Sequence, residues 1–323
     1  MKIDALEGVQ LGGITQWIRV RGADTSNPVL LLMQQGPGLP IINDASRLEH
    51  LLGLENAFTV VYWDQRGTGL SSPLLRTNSN RLEISVTRMV DDTVTLLELL
   101  RDRFGGKTFV AGFSFGATFA AYAAVRHPEL VAALVATGID IDVPAAEDNA
   151  YRFALDAARQ RRHRRAIRQL EAIGPPPHTT SKQFITRARW VANFGGVVTN
   201  ANFNSQFRQL FLSLVRSPDY SAAAVIRTLH GIGASQAALL PQLASTDLVC
   251  TMPRLDVPLV IAQGRHDQVA PGEAAQRFHD SLTAPSKQLV WFERSAHAPH
   301  LEEPVKFRDL LLNVRASQLA GRS

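Results

Sequence analysis

Five residues, Gly112-Phe113-Ser114-Phe115-Gly116, carry the most chemistry in this sequence. They form a G-x-S-x-G pattern between a strand-like run, KTFVAG (107–112), and a helix-like run, ATFAAYAAVRH (117–127). Glycines flanking a serine permit a sharp strand-to-helix turn that lifts the hydroxyl above the sheet edge. There the backbone N–H of Phe115 and the positive end of the following helix would face a developing oxyanion. A serine hydroxyl needs a base to take its proton and an acid to orient that base. Asp267, in GRHDQVAP (264–271), follows the apolar run PLVIAQ (258–263). His297 and His300, in SAHAPHLEEP (295–304), follow KQLVWFE (287–293). Ser, Asp and His thus occur in the order that nucleophilic acyl transfer on a parallel sheet requires, each just past a strand. His297 comes first in a small-residue loop and is the expected base. His300, nearer a helix start, is expected to pack at the rim.

The elements that must hold these residues are legible from hydrophobic periodicity. WIRVRG (17–22) alternates, whereas VLLLM (29–33) and FTVVYW (58–63) are continuous apolar runs, as in strands covered on both faces. Residues 84–104 place Val86, Met89, Val90, Val94, Leu97 and Leu100 at helical spacing, closed by Gly105-Gly106. LVAALVATG (130–138) is a further buried strand, and helices are expected at 272–282 and 304–319. This alternation predicts an α/β fold, a mostly parallel sheet with helices on both faces. Residues 143–254 break the pattern: they are Ala- and Arg-rich, mostly helical, and interrupted by GPPPH (174–178). The expected organisation is a core of 1–142 and 255–323 with a helical insertion at 143–254.

Composition narrows the function classes. The chain has 323 residues, 45% hydrophobic and 20% charged, with net charge +5, which excludes a disordered chain. No apolar run is long enough to span a membrane, and MKIDALEGVQ at 1–10 lacks a signal-peptide core. A soluble, cytoplasmic protein is expected. Its single cysteine, Cys250, permits no intrachain disulfide; a buried, roleless position is expected for it, and no metal cluster is evident. The basic excess concentrates in 151–190, with ten Lys/Arg against Asp156 and Glu171. On one helix, Arg161, Arg164, Arg165 and Arg168 would share a face. No recognition motif accompanies them, so a solvated face is expected rather than nucleic-acid binding. No G-x-G-x-x-G follows the first strand, which argues against a nicotinamide cofactor; none is expected. The expected partner is a small-molecule substrate, and homo-oligomerisation is left open.

Taken together, Gln34-Gln35-Gly36-Pro37-Gly38, DQRGTGLSSP (64–73), GFSFG, GRHDQVAP and SAHAPHLEEP resemble the α/β-hydrolase superfamily, and within it the prolyl iminopeptidase-like group. The resemblance implies Ser114 as nucleophile, His297 as base and then acid, Asp267 as orienting acid, backbone N–H groups of Gly36 and Phe115 as the oxyanion hole, and the insertion as a cap. The family's loop reads His-Gly-Gly-Pro-Gly, so Gln35 places an amide where glycine is usual. Gln35, Phe113 and Trp190 are the candidate pocket residues. Iminopeptidases hold a free amino terminus with carboxylates, and few acids occur in 143–254: Glu147, Asp148, Asp156, Glu171, Asp219 and Asp247. The reading favoured on that ground is a serine hydrolase of a small ester, lactone or amide. An aminopeptidase, a rearranging or cyclising enzyme, and a ligand-binding protein on the same fold remain alternatives.

Overall fold

The computed structural model describes residues 1–72 and 83–320; Pro73, at the end of DQRGTGLSSP, lies outside them. An antiparallel hairpin, β1 (Ile3–Leu11) and β2 (Ile14–Gly22), leads into β3 (Val29–Met33), α1 (Ala45–Leu52), β4 (Thr59–Asp64), α2 (Val86–Phe104), β5 (Thr108–Phe113), α3 (Phe115–Arg126) and β6 (Val131–Thr137). Six helices then intervene: α4 (Val143–Gln160), α5 (Arg164–Ile173), α6 (Ser181–Asn193), α7 (Phe203–Arg216), α8 (Ala222–Leu243) and α9 (Leu248–Thr251). The core resumes with β7 (Leu259–Gly264), α10 (Gly272–Ser281), β8 (Lys287–Phe292), α11 (Pro299–Glu302) and α12 (Pro304–Ala320). The sheet order is β1-β2-β4-β3-β5-β6-β7-β8, with β3 to β8 parallel. This is the α/β-hydrolase fold.

The continuous apolar strands divide by parity, except in β6, where the register against β5 shifts and adjacent Ala132 and Ala133 share a face. Leu31, Met33, Val61, Trp63, Val110, Leu134 and Ile261 pack on one face with α2, α3 and α10. Leu30, Leu32, Val60, Tyr62, Phe109, Ala111 and Val260 pack on the other with α1 and α12. Successive side chains on a strand point to opposite faces, so a run such as VLLLM has every residue buried only because helices cover both. Ser85 caps α2 by accepting from Arg88 N at 3.2 Å, which starts the helix where the periodicity begins.

β1, α1 and the basic run differ from expectation. β1, IDALEGVQL, pairs with β2 through its whole length; its charged residues and central glycine obscure the alternation, and the hairpin turn supplies what local propensity does not. The basic run is not one helix. α4 ends at Gln160, and the turn passes through Arg162 at φ 51° before α5 begins. Arg164, Arg165 and Arg168 lie exposed on α5, while Arg161 sits over the Phe194 ring, 4.7 Å from its centroid. Among the described residues, no helix is long and apolar enough to cross a membrane.

The segment after β4 organises the hairpin side of the sheet. Buried Arg66 grips Asp92 of α2 with Nε and Nη2 at 2.7 and 3.0 Å, and Nη2 also donates to the carbonyls of Leu11 and Gly12. Gln16 donates to Asp92 at 2.6 Å and accepts from Trp63 Nε1 at 3.1 Å. Buried charges survive where they are paired and hydrogen-bonded in this way. The motif thus ties the hairpin and α2 to the end of β4, and its Gln65, Arg66 and Thr68 also line a small cavity shared with Gln35, Gly36 and Phe115.

Candidate active site

Because β3 and β5 to β8 are parallel, the loops that leave their C-terminal ends gather on one rim. That rim is where ligands bind in open α/β sheets. Ser114 follows β5 directly, with φ 52° and ψ −130°. A non-glycine residue with this backbone is strained by about 1–3 kcal/mol, so surrounding contacts must hold it. Its N–H donates to the Thr137 carbonyl at 2.9 Å, and its carbonyl accepts from Ala117 N at 2.8 Å. Both flanking glycines are sterically required: a Cβ at Gly112 would lie 2.4 Å from Ala117 Cα, and one at Gly116 would lie 2.2 Å from the Gln34 carbonyl oxygen. Phe115 opens α3, so its N–H lacks an intrahelical acceptor. A small cavity lined by Gln35, Gly36, Pro37 and Phe115 adjoins it. Gln34 is buried, and its Oε1 accepts from Thr68 Oγ1 at 3.2 Å, joining the loop after β3 to the loop after β4.

Asp267 and His297 leave the next strands along the rim. One Asp267 oxygen accepts from Val269 N and Ala270 N at 2.8 and 2.9 Å; the other lies 2.8 Å from His297 Nδ1. Committing Nδ1 as donor leaves the lone pair on Nε2, the atom a general base uses. Burial pushes the imidazole pKa down. The charge and hydrogen bond of Asp267, with the charges of Asp140 and Glu302, more than offset this and leave it above the ordinary histidine value. Gly138 makes room for the ring: at φ +52°, its missing Cβ would stand 2.8 Å from Nδ1. The helical segment also reaches the site, since His297 N donates to the Val197 carbonyl at 2.9 Å.

A fourth residue, Asp140, was not anticipated. It sits just past β6, and its Oδ2 accepts the hydrogen bond of the Ser114 hydroxyl at 2.9 Å. Among the described residues no hydrogen bond joins Ser114 to His297. Burial raises the Asp140 pKa to about 6, opposed by the nearby positive charge of His297 when protonated and by the Ser114 hydrogen bond. Its signal in the sequence was positional: an acid immediately after a buried strand, as Asp267 follows β7. Nothing else marks it: Asp140 lies in the core's last residues before the insertion at 143, with no motif around it.

The other singled-out residues are placed as follows. Gln35 lines the small cavity beside Gly36. Phe113 packs in the core; its ring lies 4.2 Å from His300 and 6.1 Å from Phe307, between the sheet and α12, because strand parity turns it to the face away from Ser114's helix. Trp190 is likewise a packing residue. It stacks on Phe194 within the helical segment's own core and donates to Gln169 at 3.0 Å. His300 is buried against these rings, and burial drives its pKa down to about 3, so it is neutral. Cys250 is exposed, contrary to expectation, because α9 turns Leu248 inward. Among the described residues no group of three His, Cys, Asp or Glu is placed to hold a metal.

A doubly covered parallel sheet with a strained serine after its central strand, and an Asp–His pair on the same rim, defines an α/β-fold hydrolase. Residues 49–304 match the profile of the serine aminopeptidase S33 family, and the chain belongs to that family. It is 27% identical over 316 residues to a probable aminopeptidase, YbaC, of Bacillus subtilis, covering 96% of this chain and 95% of that one. It is 26% identical over 286 residues to a proline iminopeptidase of Heyndrickxia coagulans, covering 85% and 89%. The crystal structure of a proline iminopeptidase from Mycobacterium smegmatis superposes with a TM-score of 0.70 at 20% identity, over 99% of this chain and all of that one. The chain is an aminopeptidase-like hydrolase.

Proposed function

We propose that the protein cleaves an acyl bond through an acyl-enzyme on Ser114, with His297 and Asp267 as its proton-transfer pair. The observation that carries this is the strained, buried serine on the same rim as a buried His–Asp pair whose Nδ1 is already committed. Ser114 Oγ bonds the carbonyl carbon as its proton passes to His297 Nε2. The oxyanion is met by the N–H groups of Phe115 and Gly36. His297 then protonates the leaving nitrogen or oxygen, whose bond to carbon breaks, and afterwards takes a proton from the water that frees the acid. The segment 143–254 acts as a cap over a small-molecule substrate.

Within this reading we place an amino-acyl amide ahead of the neutral ester or lactone favoured by the cap's shortage of acids. Two curated relatives carry aminopeptidase names, and a carboxylate beside the serine comes from the core instead of the cap. The test is intact mass after exposure to a neutral fluorophosphonate, for wild type and Ser114→Ala. One adduct on wild type and none on the variant is expected; equal labelling of wild type and Ser114→Ala refutes Ser114 as the nucleophile.

A further inference from the structure

A hydroxyl has one proton to donate, and in this structure Ser114 donates it to Asp140 at 2.9 Å. It therefore cannot also donate to His297 Nε2, as attack requires. The resting arrangement is unproductive, and a productive one needs something to take over the acceptor on Asp140. The charges around the serine indicate what that is. Asp267 is matched by His297 and by two backbone N–H groups. In the helical segment, buried Arg187 is matched by buried Glu147 at 2.5 Å and also contacts His178 Nδ1 at 3.1 Å. Asp140 is only 5% exposed, yet its direct side-chain partner is a neutral hydroxyl. Buried carboxylates ordinarily sit against a cation or several donors.

Geometry says where such a cation would come from. In an amino-acyl substrate the α-nitrogen is two bonds from the carbonyl carbon, about 2.5 Å away from standard bond lengths. With that carbon in reach of Ser114 Oγ, an α-nitrogen turned toward Asp140 is able to meet an oxygen that itself stands 2.9 Å from Oγ.

We propose that Asp140 recognises the α-ammonium of the substrate, and that this contact displaces the Ser114 hydroxyl from Asp140 and frees it to turn to His297. The inference rests on the acyl-enzyme reading. It makes Asp140 a specificity-determining residue on the core, and it makes the free amine both a binding group and the trigger that releases the nucleophile. Neutral acyl compounds of the same shape meet a serine still held by Asp140.

The test uses pairs of p-nitroanilides that differ only in the amine: alanyl against propionyl, and prolyl against cyclopentanecarbonyl. Wild type should favour the amine of each pair by at least about tenfold, the range of one hydrogen bond to a buried charge. Asp140→Asn and Asp140→Ala should erase that preference by lowering kcat/KM for the amine. The neutral partner, and a neutral fluorophosphonate, should react with Asp140→Ala faster than with wild type, because the hydroxyl is no longer held. In wild type the preference should fade as pH falls through about 6, where Asp140 takes a proton, and the variants should lose that acid limb. His297, Asp267, Ser114 and Arg187 are the groups that face Asp140 in this window.

A parallel fall for amine and neutral substrates would overturn the proposal and make Asp140 a support of Ser114 or of His297. No wild-type preference, or an unchanged preference in folded variants, overturns it as well. Ser114 left unlabelled in both wild type and folded Asp140→Ala would instead defeat the acyl-enzyme reading, so the two failures are distinguishable.

Discussion

Asp140 puts function and stability in opposition at a single side chain. An unfolded aspartate releases its proton near 3.8, whereas Asp140 in the fold holds it until about 6. Between those values the folded chain binds more protons, so its stability declines as pH rises, and the full cost is present above 6. Two pKa units correspond to about 3 kcal/mol at most. Asp140→Asn carries no charge and should therefore raise Tm by several degrees at pH 7.5, with the gain shrinking to nothing near pH 4. Thermal unfolding of both chains across that range is the measurement, and a lower Tm for the variant at pH 7.5 would show the carboxylate to be stabilising. Gains of this kind at active-site charges, set against lost activity, are the usual stability–function exchange. At this scale the sequence was readable where a residue type sat in a motif. Ser114, Asp267 and His297 each follow a recognisable strand, and the structure pairs the last two. Phe113 and Trp190 were read toward the pocket from their chemistry alone, but strand parity and the helical segment's own core decide where those rings go.

At the scale of elements, the loops after parallel strands do the positioning, and their glycines are where backbones and rings come close. Gly138 is the most exposing case. It has φ +52°, and a Cβ there would stand 2.8 Å from His297 Nδ1 and 3.3 Å from Asp267 Oδ2. Gly138→Ala should leave the sheet intact, cost about 1–2 kcal/mol through backbone strain, and displace the imidazole. A misplacement near 1 Å costs on the order of a hundredfold, so fluorophosphonate labelling of Ser114 should slow by at least about tenfold. An unchanged labelling rate would mean the loop after β6 yields and the ring keeps its place. The strands bearing these loops were legible because both faces are covered and the runs are continuous. β3 emerged with the expected bounds, 29–33. β1 and α1 were not recognised, since one depends on its hairpin partner and the other is two turns long between loops. Asp140 was lost for the same reason: where a core strand gives way to a long insertion, the pattern that locates loop residues stops.

At the scale of the molecule, the helical segment is fastened to the core at several polar points, and some of them are buried. Tyr220, between α7 and α8, donates its hydroxyl to Asp64 at the end of β4. Asp64 also accepts from the backbone N–H groups of Ile41, Ile42 and Leu70 at 2.9, 3.1 and 2.8 Å. Burial pushes the pKa values of both side chains up, so the hydroxyl keeps its proton to donate. Other fastenings include Asn149 to Gln268 at 3.2 Å and Thr199 to Glu302 at 2.6 Å near the site, and Arg19 to Asp219 at 2.9 Å away from it. Tyr220→Phe removes the first point while Asp64 keeps its three backbone donors, so the core should hold. Loss of a hydrogen bond to a buried carboxylate costs about 1.5–3 kcal/mol, and that cost should fall on the attachment and not on the sheet. Hydrogen exchange should therefore quicken in α7 and α8 while β3 to β7 keep their protection, since local opening draws on the least stable unit. A uniform increase across sheet and helices would show that the helical segment and the core unfold as one body. In that case access to Ser114 would not depend on this attachment.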